Sequence, residues 1–294
     1  LTATQVQGVP PPKSAGSAES FVVAGLSPST TYYFALKTAD EVPNWSPLSN
    51  VATGLTSAPP DTTPPTPNTI ASIAAVSATQ IDITSTAATD DTPPVSYRLD
   101  GQYYDGAAWV DSGGGVSDLD YSTTRPNPWS DTGLVANGWY RYRQQVKDSA
   151  TLPNESPWSD WVEKATLLNP PQDAEITFAN VTPTGMDVTV ATPPKPSGTG
   201  ATAAYFDLIT GEGQGSDATD RGYADDYTAE YTNLTPNTQY GWKVKYRNRD
   251  GVETAYNPAE QKRYTLANTP SAPTVSNPTI TTLDVDVNPN GNPA

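Results

Sequence analysis

Apolar and polar residues alternate over short runs along most of the chain, and apolar residues hardly ever recur at helical spacing. In the clearest run, Tyr240, Trp242, Val244 and Tyr246 interleave with Lys243, Lys245, Arg247 and Arg249. A period of two puts the rings on one face of a strand and the cations on the other. The same reasoning predicts strands near Phe21–Val23, Ile70–Val76, Ile81–Ile83, Val95–Leu99, Ile176–Phe178, Met186–Val190, Phe206–Leu208, Val275–Ile280 and Leu283–Val287, plus one ending near Leu36. After the strand at Val95–Leu99, the longest irregular part of its domain is expected from Asp111 to Ser130. Thirty prolines, 21 glycines and no long apolar run complete an all-β reading of short strands joined by turns.

One pattern occurs three times: a leucine, a tyrosine six residues later and an aromatic eight later. It begins at Leu26 (Tyr32, Phe34), Leu134 (Tyr140, Tyr142) and Leu234 (Tyr240, Trp242). The leucine closes one strand, and the tyrosine opens the next with its ring inward and its hydroxyl turned back toward the preceding turn, as in the tyrosine corner of a β-sandwich. Tyr32, Tyr140 and Tyr240 are therefore expected to be buried scaffold. Their spacing divides the chain into the second half of a domain (1–57), two whole domains (58–167 and 168–266) and the first strands of another (267–294). Prolines at 59, 60, 64, 65 and 67 predict an extended, semi-rigid connection before the second domain. The chain reads as a window on a longer array. Completion of 1–57 by 267–294 of a second copy is the less favoured reading, because the pair would lack about one strand.

These residues resemble tandem fibronectin type III domains of the kind found in bacterial secreted and cell-surface proteins. The Leu-x-Pro-x-Thr-x-Tyr-x-aromatic run is complete at Leu26 and Leu234, while Ala136 and Gly138 replace proline and threonine in the middle copy. Asp40, Asn44, Ser46 and Pro47 match Asp148, Asn154, Ser156 and Pro157 in the loop after the sixth strand. The resemblance implies an extracellular or cell-surface array of immunoglobulin-like sandwiches. Two positions depart from the pattern. Ser85, Val190 and Val287 stand where the family usually has a tryptophan, and Gln144 falls on a face predicted to be buried, where it requires hydrogen-bond partners.

Cysteine and histidine are both absent, which removes disulfides, thiolate chemistry, cysteine/histidine zinc sites and histidine-based catalysis. With 32 acidic against 16 basic residues the net charge is −16, a field that repels nucleic acid and anionic membranes. No stretch is left over from the sandwiches to build a catalytic cleft, and no cofactor is implied. Weak calcium binding is considered at Asp90-Asp91 and from Asp217 to Asp226, and less readily at Asp286–Gly291, where a turn suffices as explanation. Gly211, Gly213 and Gly215 read as a loop tip, since no helix follows to bind phosphate.

Four glycosylation sequons occur, at Asn44, Asn154, Asn180 and Asn233; two belong to the repeated loop, so chance is the preferred explanation. Trp109, Trp129, Trp158 and Trp161 are candidates for stacking on sugar, against core and rim packing as the alternative. The lysine and arginine ridge from 243 to 249 reads as cross-strand pairing, for instance with Asp207, in preference to a docking surface. The functional expectation is a non-catalytic extracellular spacer or filament segment. Its partners would be other domains of the same chain, with self-association into a filament or layer as a further step. The alternatives are accessory domains of a polysaccharide-degrading enzyme, or an adhesive carbohydrate-binding array.

Overall fold

A computed structural model describes residues 3–14, 16–42, 44–194 and 202–292. It divides into two compact units, 1–62 and 63–294, and the division falls inside the proline-rich connection. Among the described residues the regular structure is β-strand apart from one 3₁₀ turn, Asp173–Glu175.

The first unit contains an antiparallel pair, β1 (Thr31–Phe34) and β2 (Ala52–Leu55). The expected strand at Phe21–Val23 is absent. A strand exists only where a neighbour takes its backbone groups, and the described part of this unit offers 21–23 none. Tyr32 is half-buried, contrary to the expectation of a buried ring, because the described residues of this unit form no second sheet to cover it.

The second unit begins with a complete sandwich. Its strands are β3 (Ile70–Ser77), β4 (Gln80–Ser85), β5 (Ser96–Tyr104), β6 (Trp109–Val110), β7 (Leu119–Ser122), β8 (Trp129–Thr132), β9 (Trp139–Lys147) and β10 (Val162–Ala165). One sheet has the order β3-β4-β8; the other is β10-β9-β5-β6, with β7 also pairing to β5. The segment expected to be irregular from 111 to 130 thus contains β7, whose Ser122 and Leu119 lie opposite Tyr97 and Leu99. Ile81, Ile83, Leu99, Leu134, Tyr140 and Tyr142 form the core between the sheets.

A second sandwich follows, with β11 (Ile176–Ala179), β12 (Met186–Val190), β13 (Ala203–Thr210), β14 (Arg221–Ala224), β15 (Thr228–Tyr231), β16 (Gln239–Arg247) and β17 (Gln261–Tyr264). Its sheets run β11-β12-β15 and β14-β13-β16-β17. Tyr240, Trp242, Val244 and Tyr246 all point into the core. A hairpin of β18 (Thr274–Ser276) and β19 (Asp284–Asp286) comes last.

The departures from the repeat are accommodated locally. Ser85 is fully buried, and its N–H donates to the carbonyl of the buried Pro126 (2.9 Å), which extends the pairing of β4 with the chain before β8. Gln144 is fully buried in register with Leu99, and its Nε2 donates to Asn68 Oδ1 (3.2 Å) and the Thr69 carbonyl (3.3 Å). Asn68 Nδ2 in turn donates to the Gln144 and Pro157 carbonyls, so the strand keeps its register and the entering segment supplies acceptors for the Gln144 Nε2 group.

Candidate functional site

The tyrosines that mark the repeat share one hydrogen bond: Ser27, Val135 and Thr235 N–H each donate to the hydroxyl five residues later, at 2.8 Å. Tyr140 and Tyr240 also donate onward to the Gly114 and Gln214 carbonyls. Burial pushes both the Tyr140 hydroxyl and its neighbour Tyr142 well above the ordinary tyrosine range. A threonine just past the last strand closes each turn. Thr56, Thr166 and Thr265 Oγ1 accept the N–H of Thr30, Gly138 and Thr238 and donate to the carbonyls of Ser27, Val135 and Thr235.

The repeated loop motif is equally structural. Asp40 Oδ1 accepts the N–H groups of Val42 and Asn44, and Asp148 Oδ1 those of Ala150 and Asn154. Hydrogen bonds to Asn44, through its side chain and its backbone, hold the Asp40 carboxyl below its ordinary value. Every sequon amide donates to a carboxylate: Asn44 to Asp40, Asn154 to Asp148, Asn180 to Asp187 and Asn233 to Asp217, over 2.6–2.9 Å. Four of the acidic residues weighed for calcium are likewise held by protein donors. Asp90 accepts the Thr92 N–H, Asp217 is bonded by Thr232 and Asn233, Asp220 by Tyr205 and Leu208, and Asp226 pairs with Arg221. Asp286 lies on β19.

The outer face of β5 and β9 carries a ladder in which cations and rings alternate. The Lys147 ammonium lies over Tyr121 (4.0 Å from the ring centroid), as does the Arg98 guanidinium (5.0 Å). Arg98 and Arg143 lie over Trp158, both at 4.5 Å. Arg143 and Arg141 lie over Trp161, at 4.5 and 4.3 Å, and Arg141 lies over Trp109 at 4.5 Å. Trp109 and Tyr104 then pack on Trp139, with centroids 4.7 and 4.9 Å away. The register explains the alternation: Arg98 faces Gln145, Asp100 faces Arg143, and Gln102 faces Arg141.

Each guanidinium is also hydrogen-bonded. Arg98 donates to Gln145 Oε1 (2.6 Å), Arg141 Nε to Gln102 Oε1 (2.7 Å), and Arg143 to Asp100 Oδ2 through both Nε and Nη2 (2.7 Å each). Burial lowers the Arg141 guanidinium from its ordinary value and raises the Tyr121 hydroxyl to about 12.

Of the four tryptophans proposed as sugar contacts, Trp109, Trp158 and Trp161 are therefore rungs of this ladder with cations over their rings. Trp129 lies on β8 and packs against the core. The signal for the ladder is the alternation Trp139-x-Arg141-x-Arg143 beside Arg98-x-Asp100-x-Gln102, which needs the strand pairing to become visible. The ridge of the second sandwich is a smaller relative: Asp207 lies opposite Lys243, and Lys245 pairs with Glu253 (2.6 Å) above the rings of Tyr205, Tyr223 and Tyr256. Its hydrogen bond to Glu253 raises the Lys245 ammonium and lowers the Glu253 carboxyl.

At Trp139 the ladder continues into the second sandwich, whose Arg249 guanidinium carbon lies 3.3 Å from the Trp139 ring centroid. Around this contact the two sandwiches meet through polar groups. Asp250 Oδ2 pairs with Lys164 Nζ (3.0 Å) and accepts the Ala165 N–H (3.1 Å). Asn248 Nδ2 donates to the Thr166 carbonyl (3.2 Å), and Asn137 Nδ2 donates to the Pro194 carbonyl and Thr202 Oγ1, both at 2.8 Å. Asn137, Thr166 and Asn248 are no more than 2% exposed. The loop after β16 is thus seated on the turn that opens β9 and on the end of β10.

No family model matches the chain, and no curated protein matches it in sequence. Among solved structures it is similar to the FN1–FN3 domains of chicken CNTN1, at 13% identity and a TM-score of 0.30 over 83% of this chain and 78% of that one. It is also similar to a segment of two fibronectin type III domains from chicken tenascin, at 15% identity and a TM-score of 0.39 over 69% of this chain and 100% of that one. By its own strand order the chain has the fibronectin type III fold in tandem: β11-β12-β15 faces β14-β13-β16-β17 in the second complete sandwich, and in the first the three-stranded sheet faces one of five strands, in which β7 joins the β10-β9-β5-β6 path.

Proposed function

We propose that this chain is a non-catalytic extracellular spacer, a segment of a surface or filament protein in which successive sandwiches are held at a set angle. The observation that supports this reading is the junction between the two complete sandwiches. Domains joined by a linker normally move relative to each other unless their interface is substantial. Here an ion pair, a cation–ring contact and four hydrogen bonds join the second sandwich to the turn that opens β9 and the end of β10, and the side chains of Asn137, Thr202 and Asn248 are almost fully buried there. At roughly 0.5–1.5 kcal/mol per hydrogen bond and ~0.5–2 kcal/mol for the cation over the ring, the set is worth several kcal/mol, enough to keep one arrangement dominant.

The acidic surface suits an exposed segment that stays soluble among its neighbours. Among the described residues no helix is long and apolar enough to cross a membrane. Sugar stacking on Trp109, Trp158 or Trp161 would require displacing arginines from their rings, so the ladder is better suited to stiffening the face. Small-angle scattering of the full chain tests the reading. Arg249→Ala combined with Asp250→Ala is expected to broaden the distribution of particle dimensions. Equal profiles for the two proteins would refute it.

A further inference from the structure

The junction contains a chemically labile dipeptide. Asn137-Gly138 combines an asparagine side chain with an unhindered following amide, the pair most prone to intramolecular deamidation. Two local requirements explain why it is there. Asn137 adopts the left-handed conformation (φ 57°), which asparagine tolerates better than most residues. In this corner a Cβ on residue 138 would lie 2.5 Å from the Tyr140 ring, so the ring as placed here leaves room for glycine alone. The corresponding pairs in the other two corners are Ser29-Thr30 and Asn237-Thr238, which lack the glycine.

We propose that Asn137-Gly138 is a modification site gated by the junction, acting as a one-way latch between the two sandwiches; the idea rests on the spacer reading above. In the reaction the Gly138 nitrogen attacks Asn137 Cγ and loses its proton, the Cγ–Nδ2 bond breaks, and Nδ2 leaves as ammonia. Water then opens the resulting succinimide to aspartate or isoaspartate, so the net change is water consumed and ammonia released.

With the junction closed, the Asn137 side chain is held away from this path by the second sandwich, and the Gly138 N–H is engaged inside the first sandwich. The Gly138 N–H is engaged by the Val135 carbonyl (3.0 Å) and Thr166 Oγ1 (2.8 Å). Asn137 Nδ2 is held by the second sandwich, and the residue is fully buried. When the junction opens, those restraints on the side chain and its burial are lost together. After reaction a carboxylate oxygen replaces the amide donor opposite the Pro194 carbonyl, so an acceptor faces an acceptor and the junction cannot re-form as before. An opening event under load or heat would thus be recorded permanently in the covalent structure.

The chain supplies its own reference. Asn290-Gly291 is the same dipeptide at an exposed turn, with Asn290 also in the left-handed conformation (φ 56°). The test is peptide mapping by mass spectrometry after incubating the full chain in mildly alkaline buffer, counting aspartate and isoaspartate at both sites. Deamidation at Asn137 is expected to be more than about tenfold slower than at Asn290, as befits a site that reacts only through local opening. In Arg249→Gln and in Asp250→Asn it should rise toward the Asn290 rate, with near-ultraviolet circular dichroism confirming that each variant is folded. Equal rates at the two sites in the unmodified chain would overturn the proposal. So would continued protection of Asn137 in a folded variant whose scattering shows an opened junction. A flexible junction in the unmodified chain would instead sink the spacer reading, and scattering on the same samples separates the two failures.

Discussion

Replacing Arg143 with alanine removes the central rung of the ladder and should destabilise the first complete sandwich by about 2–3 kcal/mol. Arg143 lies over two indoles, Trp158 and Trp161, each 4.5 Å away. It also holds Asp100 through two nitrogens at 2.7 Å, the side chains being 31% and 20% exposed. At partly exposed positions a cation–ring contact contributes roughly 0.5–1 kcal/mol, giving ~1–2 kcal/mol for two. A two-point arginine–carboxylate bond with this much solvent access, discounted for screening, adds about 1 kcal/mol. Arg143→Lys keeps the charge and loses the planar fork, so about half the effect should remain. Five of the seven tryptophans lie in this sandwich, so denaturant unfolding followed by tryptophan fluorescence reports mainly on it. Arg247→Ala provides the contrast: its guanidinium lies over Tyr223 at 4.2 Å, and its cost should stay below about 1 kcal/mol. If Arg143→Ala costs less than about 0.5 kcal/mol, or if lysine is no better than alanine, the ladder does not stabilise this face and the reasoning fails.

Three further outcomes are expected. Tyr240→Phe leaves the Thr235 N–H without its acceptor and should cost about 1–3 kcal/mol, seen in thermal unfolding as a loss confined to the second sandwich. Asp131→Ala should cost about 1–3 kcal/mol, because this fully buried carboxylate accepts from the buried Tyr142 hydroxyl, which would be left unpaired, and from the N–H and hydroxyl of Ser117, an exposed residue whose donors can turn to water. Acid should destabilise the chain as well. Asp173, Asp217 and Glu253 have folded pKa values lowered by their hydrogen bonds, to Ala259, Thr232 and Lys245 first in each case. The stability they contribute is present above the ordinary values of 3.8 and 4.5 and is lost as pH falls through and below them, so the melting temperature should drop there.

Features set by local pattern were legible in the sequence. Alternation alone orients Tyr240 to Tyr246, and the leucine-to-tyrosine interval locates all three corners, because both depend on neighbours a few residues apart. The buried Gln144 was also identifiable from its register. What the pattern could not reveal depends on pairing between distant strands. Arg98 meets Gln145, and Trp158 meets Arg98, only once β5, β9 and the segment before β10 lie side by side. Alternation could equally well have drawn attention to Arg141 and Arg143 as to the lysine ridge at 243–249. Phe21–Val23 has strand composition but no partner strand among the described residues, and composition cannot supply one. The junction was least legible, since Asn137, Lys164 and Asp250 acquire their roles only when two sandwiches meet.

The central claim is that the two complete sandwiches keep one mutual arrangement, and the absence of cysteine makes it directly measurable. Ser130→Cys and Glu230→Cys place unique thiols at exposed positions of β8 and β15 for a pair of spin labels. Pulsed electron–electron resonance should give a single narrow distance distribution that broadens when Asp250→Ala is added. A distribution already broad without that substitution, and unchanged by it, would contradict the account.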